Sequence, residues 1–162
     1  MIPECPPGAA LIPLSNGEYA IVDEEDFEDL AQLTWHRGDR DYVVHTVGID
    51  GETKVLLMHR VVARAPRGVL IDHWDGNRLD NRKQNLRGAT FRQNAQNRAP
   101  VNGKRFKGIF PFRGRWKARI KYEGQNIYLG IYPSEEVAAQ AYDYAAKRLF
   151  GEFARLNFPE AR

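Results

Sequence analysis

A strict alternation of basic and apolar residues at positions 115–122 constrains the fold more than any other feature of the chain. The sequence there reads RWKARIKY. Because successive side chains of a β-strand point to opposite faces, a strand would separate the basic residues from the apolar ones. The basic face would carry Arg115, Lys117, Arg119 and Lys121. The pattern therefore predicts a sheet that packs one face on a core and leaves the other free to bind.

The neighbouring residues predict two more strands and a helix. Residues 126–132 follow a turn and form one outer strand of the predicted sheet, and residues 105–110 form the other. Ser134 is a typical helix N-cap, and Gly151 is a typical helix end. Small alanines along the apolar stripe of this helix would let it lie close on the sheet.

This part of the chain resembles the AP2 DNA-binding domain of plant ERF-type proteins. The resemblance covers about residues 105–158 and lies in Gly108-Ile109, residues 116–120 (WKARI), residues 128–132 (YLGIY), residues 135–143 (EEVAAQAYD), Ala145-Ala146 and residues 156–158 (LNF). It implies a three-stranded antiparallel sheet, backed by one helix, that lies in the major groove of double-stranded DNA. The basic residues that we assign to DNA binding are Arg105, Lys107, Arg113, Arg115, Lys117, Arg119 and Lys121.

Residues 71–97 concentrate carboxylates, one imidazole and carboxamides between arginines. Asp72 and His73 follow an apolar run, so a strand would carry them to its tip and point them in opposite directions. Asn85 and Asn94 follow, and Thr90 is a suitable N-cap for a helix that carries Asn94. Phosphodiester hydrolysis needs a proton acceptor and a sink for negative charge, which one histidine and one metal ion can supply. The stretch therefore predicts a metal-dependent DNA-cutting site.

The same stretch resembles the HNH nuclease family, in particular its phage and intron-encoded homing type. The matching pieces are Asp72-His73, Asp80-Asn81-Arg82, Asn85-Leu86-Arg87 and residues 93–97 (QNAQN). The resemblance implies a ββα-metal fold with His73 as general base and Asn85 as the middle catalytic residue. It also implies that Asp72 and Asn94 hold one divalent cation. Asn94 stands where many relatives have His, and its neutral oxygen favours Mg²⁺, with Mn²⁺ as the alternative, over Zn²⁺.

Three polar residues near the motif have open roles. His59 is interpreted as a packing residue or a hydrogen-bond partner of the catalytic groups, with direct catalysis as the alternative. Asn97 lies nearly on the same helix face as Asn94, so we interpret it as a residue that supports Asn94. The alternatives are that it caps the helix or contacts phosphate. In this family the residue at the position of Asn85 tends to brace the loop that carries the base.

Charge is distributed unevenly along the chain. Residues 1–57 contain three Lys/Arg and twelve Asp/Glu, whereas residues 58–162 contain twenty-one Lys/Arg and nine Asp/Glu. A basic region of this size is typical of a nucleic-acid binder, although a solvated lysine-rich face is the plainer interpretation. Arginine outnumbers lysine in the basic part and clusters beside the motif, which favours nucleic acid.

We expect an α+β chain of two small domains. Residues 1–99 would form the nuclease module, with an acidic strand-helix-strand prelude in which Asp23 caps the helix and residues 42–47 pair with residues 54–59. Residues 100–162 would form the AP2-like module, after a link at residues 99–103. No apolar stretch approaches the ~18 residues of a membrane span, and no leader sequence follows Met1, so the expected location is the cytoplasm of a bacterial or phage-infected cell. The single cysteine, Cys5, excludes an internal disulfide.

The predicted function is that of a homing-like DNA endonuclease that needs a divalent metal and is targeted by its AP2-like module. The alternative from another class is a DNA-binding regulator with an inactive nuclease motif. A third alternative is structured RNA as the substrate.

Overall fold

The computed structural model describes residues 2–100 and 103–159. In these residues the chain is an α+β protein with ten strands, four helices and three short 3₁₀ turns. It divides into two compact units, residues 1–90 and residues 91–162. No helix in the described part of the chain is long and apolar enough to cross a membrane.

The first unit contains three small antiparallel sheets. β1 (Ala9–Pro13) pairs with β2 (Tyr19–Asp23), and helix α1 (Glu24–Ala31) follows. β4 (Val43–Ile49) lies between β3 (His36–Arg37) and β5 (Glu52–Leu57). Helix α2 (Met58–Val62) precedes the pair β6 (Leu70–His73) and β7 (Leu86–Ala89). The 3₁₀ turns are Asp39–Asp41 and Lys83–Asn85.

The core of the first unit forms around Trp35, whose side chain is fully buried. Its indole Nε1 donates a hydrogen bond to the carbonyl of Leu30 at 2.7 Å. The fully buried Ile12, Val22 and Met58 belong to the same cluster. Burial of such side chains stabilises a fold by roughly 1.5–3 kcal/mol each. This core supports the strand β2, against which the loop between β6 and β7 is held.

The second unit is a three-stranded antiparallel sheet backed by one long helix. Helix α3 (Phe91–Gln96) comes first, followed by β8 (Ile109–Phe112), β9 (Arg115–Tyr122) and β10 (Gln125–Tyr132), with β9 in the centre. Helix α4 (Glu135–Phe150) packs on the sheet, and the 3₁₀ turn Gly151–Phe153 follows it. Ser134 accepts a hydrogen bond from the N–H of Val137 at 3.2 Å, which confirms it as the N-cap.

The alternating pattern of β9 is confirmed. Ala118 and Ile120 are buried against Ala138, Tyr142 and other residues of α4, whereas the basic residues between them face away from this core. The alanines that contact the sheet are fully buried, so α4 approaches β9 closely. The sheet therefore has one packed face and one basic face.

Two strand boundaries predicted from the sequence are wrong. The strand expected at residues 54–59 ends at Leu57, and His59 lies instead on the helix α2. The outer strand expected at residues 105–110 begins only at Ile109, because Gly108 has φ of +77° and interrupts extended backbone. These differences change the setting of His59 and remove Arg105 and Lys107 from the sheet.

Asp23 occupies the N-cap position of α1, where the sequence predicted a cap, but its side chain makes no capping hydrogen bond. Its carboxylate accepts a hydrogen bond from the backbone N–H of Lys83 at 2.8 Å instead. This bond fixes the start of the 3₁₀ turn that carries Asn85. The compact units also divide at residue 90, earlier than the domain boundary expected after residue 99, because α3 groups with the second unit. Residues 101–102 of the expected link lie outside the described residues.

Gly108 should be intolerant of a side chain. A Cβ there would lie 2.3 Å from two ring carbons of Tyr142 and 2.6 Å from the carbonyl oxygen of Arg119. We expect Gly108→Ala to lower the free energy of unfolding by about 1–3 kcal/mol more than Gly114→Ala does, as measured by urea unfolding. Gly114 is the matched control because it has a similar φ of +74° with nothing within 4 Å. Equal losses in the two variants would contradict the steric explanation.

Candidate active site

Asn85 braces the loop between β6 and β7 from inside. Its Oδ1 accepts the N–H of Asp75 at 3.1 Å, and its Nδ2 donates to the carbonyl of Asp80 at 2.9 Å. Its backbone carbonyl accepts the N–H of Trp74 at 2.8 Å. The side chain of Asn85 is buried, and its polar atoms are satisfied by these loop groups. Asn85 thus holds the ends of the loop together, next to His73.

The same loop is pinned to β2 from outside. The N–H of Ile21 donates a hydrogen bond to the carbonyl of Leu79 at 2.8 Å, and the carbonyl of Ile21 accepts one from the N–H of Asn81 at 2.7 Å. Asp80 binds Arg82 through two guanidinium contacts, at 2.9 and 2.6 Å. Polar groups of the loop also bind locally: the side chain of Asp75 accepts the N–H of Asn77 at 2.7 Å. The loop therefore presents its residues in a fixed conformation.

His73 contacts the side chain of Asn81 in the interior of this unit. The Nδ2 of Asn81 donates to the carbonyls of Arg78 and Leu79, which orients its Oδ1 towards His73 Nε2 at 3.3 Å. An amide oxygen only accepts, so Nε2 carries the proton and Nδ1 is the basic nitrogen. Burial lowers the pKa of His73, and the contact with Asn81 opposes only part of this effect. The imidazole is therefore neutral at pH 7.

His59 packs against His73. The two rings are edge to face with centroids 5.2 Å apart, and Tyr42 lies 4.9 Å from His59. Arg78 covers the other side of this group, 4.5 Å above the Tyr42 ring. Burial lowers the pKa of His59 to about 3, and the nearby His73 adds to the effect. The Nδ1 of His59 is buried and has no hydrogen-bond partner among the described residues.

Asp72 lies opposite Arg87 in the β6–β7 ladder. The guanidinium donates to Asp72 Oδ2 from Nε at 3.1 Å and from Nη2 at 2.9 Å, and both side chains are largely buried. Asp72 and His73 therefore have different neighbours, as expected for adjacent residues of a strand. Arg87 also lines a cavity of about 580 Å³ together with Arg64 and Lys83. The two hydrogen bonds from Arg87 orient the buried carboxylate of Asp72.

The predicted partner of Asp72, Asn94, lies on α3 and is half-buried. Asn97 directly follows α3 and is buried, with its N–H donated to the carbonyl of Gln93 at 3.1 Å. Among residues 2–100 and 103–159, no three His, Cys, Asp or Glu side chains are grouped closely enough to hold a metal ion. The predicted pair of one carboxylate and one amide is smaller than such a group, so its role stays a prediction.

The basic residues of the second unit fall into two groups. Arg113, Arg115, Arg119 and Lys121 are exposed, Lys117 is half-buried, and Arg119 stacks on Phe110 at 4.3 Å. Arg105, in contrast, pairs with Glu136 at 2.7 Å. The ammonium of Lys107 donates hydrogen bonds to the backbone carbonyls of Gln96 and Arg98. The first group faces solvent, and the second is engaged within the unit.

Sequence reasoning did not find the roles of Tyr42, Asn81 and Arg87. Asn81 belongs to the residues that carry the resemblance to the HNH family but was given no role of its own, yet it determines the tautomer of His73. Arg87 belongs to the same residues, and the two-residue periodicity of strands would have paired it with Asp72 once the register was known. Tyr42 had no sequence signal, because it comes from a distant loop.

Comparison with known proteins gives the family. Residues 56–96 match the family model of the HNH endonucleases. The chain is also 30% identical over 149 residues to an uncharacterised HNH endonuclease, L560 of Acanthamoeba polyphaga mimivirus, and this match covers 91% of the chain and 79% of that protein. The chain therefore belongs to the HNH endonuclease family and is a nuclease.

Part of the chain is similar to plant AP2/ERF proteins. It is 45% identical over 64 residues to the AP2/ERF and B3 domain-containing protein Os01g0141000 of Oryza sativa subsp. japonica, which is 39% of this chain and 18% of that protein. The chain thus spans less than a fifth of this relative. A structure described as DNA binding and cleavage by the HNH homing endonuclease I-HmuI is 21% identical, with a TM-score of 0.35, over 54% of this chain and 56% of that one.

The buried His59 should make folding sensitive to acid. The unfolded chain binds a proton at this residue below about pH 6.5, whereas the folded chain does so only near pH 3. Stability is then highest above pH 6.5 and is lost as the pH falls, by up to about 1.4 kcal/mol per unit for one such site. In urea unfolding from pH 7.5 to pH 4.5, His59→Phe should show a shallower loss than the wild type.

The matched control for this experiment is His45→Phe, because His45 lies outside the group around His73. The stability of His45→Phe should fall with decreasing pH as steeply as that of the wild type. The prediction is wrong if His59→Phe follows the wild-type pH dependence.

Proposed function

We propose that this protein is a metal-dependent endonuclease that cleaves DNA. The observation that carries the proposal is the environment of His73, the last residue of β6. Its imidazole is neutral, and the contact with Asn81 places the proton on Nε2. The residue before it, Asp72, is a buried carboxylate. A neutral imidazole at pH 7 is the form that accepts a proton in general base catalysis. The family of the chain and its basic half support nucleic acid as the substrate.

His73 would take the proton from the attacking water through Nδ1. Asn81 and the ring of His59 hold the imidazole in place, so His59 is a positioning residue in this proposal. Asn85 contributes through the loop that it braces and not by contact with the reacting atoms. Arg64 and Arg87, which line one cavity, would attract the phosphate backbone.

The donor set fits a hard divalent cation. Asp72 offers carboxylate oxygens that Arg87 orients, and Asn94 offers an amide oxygen; Mg²⁺ and Mn²⁺ prefer such ligands. The only cysteine, Cys5, is exposed and is not part of this set. When bound, the cation would neutralise charge on the phosphate and on the leaving oxygen. Asp72 and Asn94 would hold it.

His73→Ala should abolish cleavage and preserve DNA binding. General base catalysis contributes about 10²–10⁴-fold to a rate, and the substitution removes no positive charge at pH 7. We expect the rate of plasmid nicking in Mg²⁺ to fall by at least about 10²-fold, with the Kd for DNA within about twofold of wild type. His45→Ala is the matched control and should nick normally. EDTA should stop nicking by the wild type.

Other outcomes of this assay identify the alternatives. A wild type that binds DNA without nicking it in either metal would be a regulator with an inactive motif. Cleavage restricted to a structured RNA substrate would make RNA the substrate. Nicking by His73→Ala at the wild-type rate would place the base elsewhere, with His59 as the first residue to test, and nicking in EDTA would exclude the metal mechanism.

We further propose that the basic face of the AP2-like sheet reads DNA. Arg115, Arg119 and Lys121 are exposed on one face of β9, and the stacking of Arg119 on Phe110 limits the freedom of its guanidinium. A guanidinium held in this way is suited to bind guanine through two hydrogen bonds. The similarity to AP2/ERF proteins supports the same use of the sheet.

Arg119→Ala should weaken and broaden DNA recognition. Loss of one bidentate contact costs about 1–3 kcal/mol of discrimination, and loss of one phosphate contact reduces the salt slope by about one. Binding to a selected site is measured by fluorescence anisotropy over a range of salt concentrations. It should show either weaker discrimination between sequences or a smaller salt slope. Arg148→Ala, which removes an equal charge from α4, is the control. Equal effects of the two substitutions would contradict a role for the sheet face.

A further inference from the structure

Lys107 contacts the end of the helix that carries Asn94. Its ammonium donates to the carbonyl of Gln96, the last residue of α3, and to that of Arg98 at 2.8 Å. The last carbonyls of a helix lack partners within the helix, and a cation there also interacts favourably with the helix dipole. Lys107 therefore ends α3 in the way that a C-cap residue would.

Lys107 is itself fixed from the opposite side. The side chain of Asn157 accepts the N–H of Lys107 at 2.6 Å and donates to its carbonyl at 3.2 Å. The backbone N–H groups of Asn157 and Phe158 in turn donate to the carboxylate of Asp143 on α4, each at 2.8 Å. A continuous chain of hydrogen bonds thus joins α4, which packs on the sheet, to the end of α3.

The setting of Lys107 argues against contact with a phosphate. Its side chain is largely desolvated, and this burial lowers its pKa to about 8. A partly buried ammonium needs oxygen partners within the protein, and the carbonyls of Gln96 and Arg98 provide them. Arg115 and Arg119, in contrast, are exposed on the basic face. Charge alone placed Lys107 with the DNA-binding residues, whereas its contacts give it another role.

Helix α3 borders the basic face of the sheet. A cavity of about 510 Å³ is lined by Arg92 and Gln96 of α3, by Lys107, and by Arg119 and Lys121 of β9. A duplex held by these strand residues would therefore lie next to α3. Any displacement of α3 would move Asn94 relative to that duplex.

We propose that Lys107 is a positioning residue that fixes α3, and with it Asn94, to the DNA-reading sheet. The proposal rests on the proposed function for the role of Asn94 and for the identity of the sheet as reader. Recognition and cleavage are then coupled through the partly buried ammonium of Lys107. The DNA that the sheet selects meets Asn94 at a fixed position.

The test compares Lys107→Met with Lys107→Arg in the full chain. Met keeps the length of the side chain and removes its donors, whereas Arg keeps donors that can reach the carbonyls. DNA affinity and its salt dependence are measured in EDTA, hydrogen exchange is measured on the amides of α3, and nicking is measured in Mg²⁺. Arg119→Ala is the contrasting variant.

For Lys107→Met we expect hydrogen exchange in α3 at least about tenfold faster, because bonds from a charged donor are lost. Nicking should fall by about tenfold or more, since small displacements of a catalytic group are costly. The Kd and the salt slope should stay close to wild type. Lys107→Arg should restore both exchange and nicking, and Arg119→Ala should change affinity and leave exchange in α3 unchanged.

Two results would overturn the proposal. If Lys107→Met reduces the salt slope by about one, and nicking falls only as far as affinity does, Lys107 is a phosphate contact. If exchange in α3 is unchanged, the anchor is dispensable. Should Lys107→Met fail to fold, Lys107→Gln, which is too short to reach the carbonyls, replaces it with the same expectations. A wild type that does not nick overturns the proposed function, while exchange and affinity still decide the role of Lys107.

Discussion

A loop between two short strands leaves backbone groups without partners in the ladder, and here one buried amide satisfies them. Asn85 binds the N–H of Asp75 and the carbonyl of Asp80, and its own carbonyl binds Trp74. Buried polar groups left without partners would cost about 1–3 kcal/mol each. The orientation of Asn81, and through it the tautomer of His73, depends on the conformation that these bonds maintain. The environment of His73 thus depends on the side-chain amide of Asn85, two contacts away from it.

Two different environments meet at the end of β6. The imidazole of His73 is buried, which lowers its pKa, and it contacts the amide of Asn81, whereas the carboxylate of Asp72 is held by the guanidinium of Arg87. The roles that we propose for these two residues, proton acceptor and ligand of a cation, need such different surroundings. The strand provides them because it turns neighbouring side chains to opposite faces.

Local patterns predicted much of this molecule. The alternation in β9, the capping residues of α4 and the strand that carries Asp72 and His73 are all determined by neighbouring residues, and the structure confirms them. The position of His59 on a helix was not predictable, because a short apolar run fits a strand or a helix equally well. The side-chain partners could not be predicted either, because they depend on tertiary structure. Asn81 contacts His73 in a loop that is held by β2, and Lys107 contacts Gln96 from a separate segment of the chain.

The double hydrogen bond between Lys107 and Asn157 joins positions near the two limits of the AP2-like sequence. A module whose ends lie together needs little space at its point of attachment, and its folding makes few demands on the host chain. Such a module can be transferred between genes as a cassette and joined to different partners. The presence of similar sequences in plant AP2/ERF proteins and in this nuclease accords with that kind of exchange.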